Sequence, residues 1–408
     1  MTDQVLIEKI NINKFSSKNK KLYRKLDHLC FLSKNLYNST LYSVRQHYFK
    51  TGKYLNYYAI NKIFTDDDQK DYRKLPAKVS KQTQMILEQN YNSFFELQKT
   101  QGIKNPRPPK YLNKKQGRQV VFYEKGALSF KKQGYIKLSK TDILVPTKLK
   151  KEEVRFVRIV PKNNSINIEI GYKVNVPDYV NNDHYASIDI GLNNIAAITS
   201  NTIGPMIING KPLKSINQYY NKKSSKIKSN LKTNYKRESG IKLDKLSLKR
   251  ENKIQDYLHK TTSCIMNYLV SGNINTLIVG YNKGWKQNIS IGKVNNQNFV
   301  SIPFYKLILQ LEYKCKLNGI KLILQEESYT SKCSFIDNED VKKSDHYCGK
   351  RIKRGLFRSK NNILLNSDIN GSLNIMKKYL EKNKLYNKEL YNKLLSININ
   401  KPIQKISL

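Results

Sequence analysis

The chain has 408 residues and carries 75 Lys and Arg against 31 Asp and Glu, a formal charge of +44 that far exceeds what solubility requires and calls for a polyanionic partner. A/T-rich codons would account for part of the Lys, Asn, Ile and Tyr content, but such drift does not create so large a deficit of acids. The length allows about two or three domains with cores of their own. No apolar run reaches the about 18 residues of a membrane span, and no charged-then-apolar leader follows Met1, so membrane insertion and export are not expected. Five cysteines, at 30, 264, 315, 333 and 348, are odd in number and scattered, which points to a reducing cytoplasm and not to a disulfide framework.

In chain order, VLIEKINI from Val5 reads as a strand. Leu22, Leu26, Leu29, Leu36 and Leu41 then predict a helical region from about Lys18 to Phe49. Tyr37, Tyr42, Tyr48, Tyr54, Tyr57 and Tyr58 mingle there with bases, a mixture suited either to stacking on nucleobases or to a plain helical core. A second long helix is signalled by Pro76 and the apolar stripe Val79, Met85, Ile86, Phe94 and Phe95. Pro106, Pro108 and Pro109 mark a boundary, after which alternating segments predict short strands and a hairpin about Lys162 to Asn164. With the Val5 strand these would close a small antiparallel β-barrel into which the helices are inserted. Residues 210 to 253 read as a long, basic, exposed helical pair. Strands are expected at Leu277 to Val279, with Trp285 just beyond, and in IKLILQEESYTS; between them YKLILQLEYKCKLNG is an amphipathic helix ended by Gly319. From Lys377 the tail reads as a frayed helix or as disordered.

The residue that organises the rest is Asp189, in the middle of the apolar run of YASIDIGLNNIAAITS. A carboxylate in a strand buried on both faces is costly unless a cation or hydrogen-bond donors meet it. Gly191, Asn193 and Asn194 suit a tight hairpin into a second strand. Far downstream, Asp368 heads the helix of NSDINGSLNIMKK, where an Asp is most often only a cap. Two-metal nucleases, however, gather about three or four carboxylates from separate elements around two Mg²⁺ about 4 Å apart, and an Asp from a helix facing an Asp from a sheet fits that plan.

On these segments the chain resembles the transposon-encoded TnpB (OrfB) family of RNA-guided DNA nucleases, relatives of the type V CRISPR effectors. The likeness runs through PPKYLNKKQGRQ, LSFKK, YIKLS, SIDIGLNNIAA as a first RuvC motif, HKTTSCIMNYL, VGYNKGWKQ, YTSKCS and SDINGSLNI as a third RuvC motif. It implies that Asp189 and Asp368 are metal-binding, catalytic carboxylates served by Mg²⁺, with Mn²⁺ able to substitute. It also implies an α/β and β multi-domain fold. Residues 1–13 and 105–177 would be a wedge β-barrel, 14–104 a helical recognition domain, 178–328 and 362–378 a RuvC/RNase H-like nuclease domain, 329–361 a degenerate zinc-ribbon-like insertion and 379–408 a basic tail.

Two departures stand out. The second RuvC motif of the family ends its strand in Glu, where this chain has Gly280; Glu326 and Glu327, at the end of the neighbouring strand, are candidates to replace it, one of them facing the site. Each CxxC knuckle of the usual zinc ribbon has kept one cysteine, Cys333 and Cys348. Two thiolates do not close a tetrahedral site, and although His346 with Asp337 or Asp345 could complete one, a zinc-free basic loop is expected.

The resemblance implies an RNA-guided, Mg²⁺-dependent endonuclease that cuts double-stranded DNA beside a short adjacent motif. Its guide RNA would come from the element's own end, and the protein would act as a monomer in the ribonucleoprotein, in the cytoplasm or on the nucleoid, with nuclear access left open. Lys78 and Gln82, four apart on one helix face, match the positions that read the duplex. The alternative is a nuclease-inactive RNA-guided repressor, for which Gly280 speaks. A third reading, a plain RNA-binding structural protein, gives Asp189 and Asp368 no task.

Overall fold

The computed structural model describes residues 3–100, 105–162, 164–282, 292, 296–297 and 300–408. Trp285 lies outside the described residues. Val5–Val174 and Asn175–Leu408 form two compact units.

In the first unit β1 (Asp3–Asn13) precedes four helices, α1 (Lys20–Thr51), α2 (Tyr57–Asp66), α3 (Lys70–Arg73) and α4 (Ala77–Lys99). The strands β2 (Val121–Glu124), β3 (Leu128–Ser129), β4 (Tyr135–Leu138), β5 (Leu144–Pro146), β6 (Val154–Lys162) and β7 (Ser165–Asn175) follow. One stripe of α1, with Leu26, Leu36 and Leu41, and one of α4, with Val79 and Leu87, share a core with Tyr123, Val157 and Ile168 from the strands. Tyr37 belongs to that core, whereas Tyr42, Tyr48 and Tyr58 are exposed. The β6–β7 hairpin pairs Lys162 with Ser165, and Asn164 takes φ 58°, a left-handed conformation that Asn tolerates.

The expected barrel does not close among the described residues. The strands form two separate sheets, β1-β7-β6-β2 and β3-β4-β5. The physical reason is strand length: β2 has four residues, a 3-10 turn at Lys125–Ala127 redirects the chain, and β3 has two. Too few ladder bonds remain to carry one sheet into the next.

The second unit is built on a six-stranded mixed sheet. Its elements are β8 (Tyr185–Asp189), β9 (Asn194–Ser200), β10 (Met206–Asn209), the helical pair α5 (Lys211–Tyr235) and α6 (Ile241–Ser271), β11 (Thr276–Gly280), α7 (Phe304–Leu317) and β12 (Lys321–Gln325). Then come β13 (Lys350–Lys353), β14 (Leu356–Arg358), β15 (Leu364–Asn366), α8 (Ser367–Lys382), α9 (Lys388–Asn398) and β16 (Gln404–Ile406). The sheet order is β12-β11-β8-β9-β10-β16, with β8, β11 and β12 parallel and β8, β9 and β10 an antiparallel meander. Both faces are covered, so the central strands read as continuous apolar runs. Ala186, Ile188, Leu277 and Val279 pack against α6 and α7, while Ile278 and Ala197 pack against α8 and α9.

The tail is not frayed. Leu394 and Ile397 of α9 are buried, Asn398 hydrogen-bonds the backbone of Ser200 in both directions, and β16 adds a parallel strand beside β10. Leu390, Tyr391, Leu394 and Leu395 fall on one helical face, and that face outweighs the surrounding lysines. No helix among the described residues is long and apolar enough to cross a membrane.

Candidate active site

Period-two alternation decides which face of β8 Asp189 occupies. Ser187, two residues earlier, faces α8, where its hydroxyl donates to the Ser372 carbonyl at 2.7 Å while the Ser372 hydroxyl donates to the Ser187 carbonyl at 2.9 Å. Asp189 therefore ends the strand under the first turns of α8. The approach leaves no room for a side chain at Gly371 while Asp189 stands as it does: a Cβ there would lie 2.5 Å from Asp189 Oδ2.

Asp368 reaches the same place from the helix. The N-cap is Asn366, whose side-chain oxygen accepts from the backbone N–H groups of Asp368 at 2.9 Å and Ile369 at 3.3 Å. With the cap already filled, the Asp368 carboxylate is free for other work. Asn194 Nδ2 donates to its Oδ2 at 2.6 Å, and Arg351 from β13 stands 3.7 Å from its Oδ1.

The third carboxylate is Glu327. Gly280 pairs in register with Gln325, and Glu327 follows two residues later. Its Oε2 lies 2.6 Å from where a Cβ on Gly280 would stand, and Ile375 Cδ1 lies 2.5 Å from the same point. The missing side chain of Gly280 is thus the space that the Glu327 carboxylate fills. The Glu327 backbone N–H donates to Asn282 Oδ1 at 3.2 Å, and Asn282 Nδ2 makes a longer contact to Glu327 Oε1 at 3.4 Å. Glu326 is different: it is exposed, and its carboxylate is taken by Lys378 and by the Ser328 N–H.

The electrostatics follow this geometry. Burial first, then the charges of Asp368 and Glu327, push the Asp189 carboxyl well above the usual carboxylate range, and Arg351 pulls against them. Burial, with a smaller contribution from Glu326, raises Glu327 to about 7. For Glu326 burial works upward too, yet the hydrogen bonds from Lys378 and Ser328 bring it below its ordinary value. A buried carboxylate that its acidic neighbours push upward, as Asp189 is, marks a place where a cation would relieve the repulsion. Among the described residues no three His, Cys, Asp or Glu side chains form a ready-made metal cage. Asp189, Asp368 and Glu327, the latter two close enough for their charges to act on the first, offer oxygens only, the donor type that suits Mg²⁺ or Mn²⁺, which keep several waters and take one or two carboxylates each.

Neither cysteine of the insertion is joined to a metal cluster among the described residues. Cys333 is buried with its thiol 3.8 Å from the Lys342 carbonyl, and Cys348 is exposed. Other groups hold this loop. Glu339 accepts from the Ser334 and Cys348 N–H groups at 2.7 and 3.2 Å, and the buried Lys377 of α8 donates to the Asn338 and Glu339 carbonyls at 2.9 and 3.0 Å. Asn370 and Asn374 bond the Cys333 carbonyl at 2.8 and 2.7 Å. Lys78 is exposed on α4 in the first unit, and the amide of Gln82 donates to Glu124.

The sequence places Arg351 only within a basic loop and Asn194 only in a hairpin, and it does not single out Asn282. Nothing in their local sequence marks them, since each acts through a partner far along the chain.

The probable transposase family, of the IS605 OrfB type, matches residues 168–286, and the Cas12f1-like TNB domain matches residues 304–375. A TnpB-like protein of Methanocaldococcus jannaschii is 25% identical over 235 residues, covering 54% of this chain and 77% of its own length. A TnpB-like protein of Acidianus two-tailed virus is 26% identical over 412 residues, covering 87% and 83%. Among solved structures, Cas12f1 in complex with sgRNA and target DNA superposes with a TM-score of 0.54 at 14% identity, covering 88% of this chain and 83% of that one. The mixed α/β fold thus resembles that of Cas12f1. The two domain matches and the TnpB-like relatives are each a likeness of part or most of this chain to the TnpB family and to Cas12f1-like proteins.

Proposed function

We propose that the protein is an RNA-guided, Mg²⁺-dependent endonuclease of a transposable element, cutting double-stranded DNA beside a short adjacent motif. The observation that carries this reading is the Glu327 carboxylate in the space left by Gly280, on the sheet face that also bears Asp189 and under the helix that bears Asp368. With Glu327 there, the loss of the second-motif Glu does not argue for a dead nuclease, and the repressor reading loses its main support.

On this reading 178–328 and 362–378 form a RuvC-like domain, 329–361 a metal-free ribbon, and 14–104 with its flanking sheets the recognition and wedge regions. Asp189, Asp368 and Glu327 hold the cations. A bound Mg²⁺ supplies a Lewis acid for the scissile phosphodiester and lowers the pKa of the attacking water. Asn194 orients the Asp368 carboxylate, and Asn282, bonded to the Glu327 backbone and in longer contact with its Oε1, steadies Glu327 before substrate arrives. Arg351, beside Asp368 and half-exposed, is poised to pair with a phosphate oxygen. The RNA pairs with the target, and Lys78 and Gln82 contact the adjacent duplex, Gln82 with its amide oriented by Glu124.

The test uses the full chain with its copurified RNA and a duplex matched to that RNA. Asp189→Ala and Asp368→Ala should abolish Mg²⁺-dependent cleavage while leaving duplex binding intact. A protein that binds its matched duplex yet never cuts it in Mg²⁺ or Mn²⁺, and begins to cut as Gly280→Glu, would instead be the repressor.

A further inference from the structure

Between α5 and α6 lies a cleft of about 290 Å³, remote in sequence from the acidic residues. Its walls are Tyr219 and Tyr220 from α5 and its apolar lining includes Ile216 and Leu246; Lys249 and Lys253, one turn apart on α6, stand at it. No acid lines it. The two tyrosines play different parts. Tyr220 is fixed, its hydroxyl 3.1 Å from Ser247 Oγ and its ring under Arg250 at 4.9 Å. Arg250 is itself anchored, donating to Asn217 Oδ1 at 2.7 Å and to the Ser301 carbonyl at 3.1 Å. Tyr219 is 56% exposed, with Lys223 near its ring at 5.9 Å. Its ring contributes little to any core.

Lys249 and Lys253 make no ion pair among the described residues, although Glu251 on the same helix pairs with Lys306 and Asp256 with Lys260. Two unpaired ammonium groups beside an apolar, aromatic-walled recess complement a ligand that is flat and apolar at one point and anionic on either side. The volume sits at the lower end of small-ligand pockets, which run from about 300 to 1,000 Å³, so it admits one base and no helix. A base still in a duplex hides both of its faces, and an aromatic wall reaches it only when it is unstacked.

We propose that this cleft is a binding site for one unpaired nucleobase of a single-stranded polynucleotide, the base against Tyr219 over Leu246 and Ile216 and the flanking phosphates on Lys249 and Lys253. The proposal does not rest on cleavage, and it holds for RNA or DNA, whose bases and phosphates share this chemistry.

The full-length protein is irradiated with short single strands carrying 5-iodouracil, one RNA and one DNA, and the crosslinked peptides are identified by mass spectrometry. Crosslinks to Tyr219 or Tyr220 are expected with at least one strand, and the strand that gives them names the source. Leu246→Trp fills the cleft and leaves every cation in place; it should remove that crosslink and weaken binding of the same strand about 5-fold or more, the lower end for base–aromatic stacking. Lys249→Ala with Lys253→Ala should lower the salt dependence of binding by about two phosphate contacts. Ser215→Trp plugs the cleft from its exposed α5 side and replaces Leu246→Trp if that variant melts early by circular dichroism. Absence of any crosslink at these tyrosines, a crosslink that survives both plugs, or equal displacement by poly-glutamate, which carries charge without bases, overturns the proposal.

Discussion

Gly371→Ala separates the catalytic reading from a structural one, because the two consequences have opposite signs. In a helix interior, Ala is favoured over Gly by about 0.8 to 1.0 kcal/mol, so the substitution on its own should stabilise α8. The new methyl would stand 2.5 Å from Asp189 Oδ2, about 0.9 Å short of ordinary van der Waals contact. The carboxylate is the end of a short side chain, and rotation about its own bonds can supply that distance at small cost. The variant should therefore keep a melting temperature near that of the parent. A ligand moved by about 1 Å is enough to cost roughly 100-fold in rate, and cleavage of the guide-matched duplex should fall by about that factor. Melting with and without Mn²⁺ provides a second readout, since the displaced Asp189 should reduce the stabilisation that the ion confers. Parental cleavage in Gly371→Ala, with parental metal stabilisation, would show that Asp189 has no part in holding the metal.

Glu327→Gln should abolish cleavage and Glu326→Gln should spare it, because only Glu327 lies against Gly280 while Glu326 pairs with Lys378; the reverse pattern in a single-turnover assay would exchange their roles. Gly280→Glu should reduce activity, as its Cβ would stand 2.6 Å from the Glu327 carboxylate and 2.5 Å from Ile375. Glu327 is raised from 4.5 to about 7 by burial, so between those values the folded chain holds a proton that the unfolded chain has lost. Metal-free stability should accordingly fall as pH rises through that window and Mg²⁺ affinity should rise; Glu327→Gln should flatten both trends, and melting curves across the window that coincide for parent and variant would refute this. The purified protein should contain well under one zinc per chain and keep its melting temperature in chelator, since Glu339 and Lys377 hold the loop that zinc would hold. Stoichiometric zinc lost on Cys333→Ser or Cys348→Ser would show a restored site. A discrete RNA, enriched in sequence adjoining the gene and released by salt, should copurify; random cellular RNA alone would remove the guided reading.

What could be read from the chain itself was whatever depends on neighbours in sequence. The charge of +44 called for a polyanion, the apolar run around Asp189 marked a strand buried on both faces, and the spacings at Phe304–Leu317 and Ser367–Lys382 marked helices. The two aspartates stood out because an acid in an apolar run is costly wherever the chain goes. The choice between Glu326 and Glu327 was open in the sequence, since alternation states that one faces the site without stating which. It was decided by the turn after Gln325, which aims Glu327 at Gly280 and leaves Glu326 with Lys378. The barrel was over-read for the same reason: alternating segments show that strands exist, whereas closure depends on how many ladder bonds each short strand can make with a distant one. The tail was under-read, because lysines dominate its composition while its few apolar residues find their partners only when β10 and α8 are already in place. Asn194, Asn282 and Arg351 are ordinary polar residues until folding brings them to an acidic residue, the nearest of them 17 residues from its partner by number. Contacts of that kind are set by tertiary geometry alone, because their energy depends on a distance that no local pattern encodes.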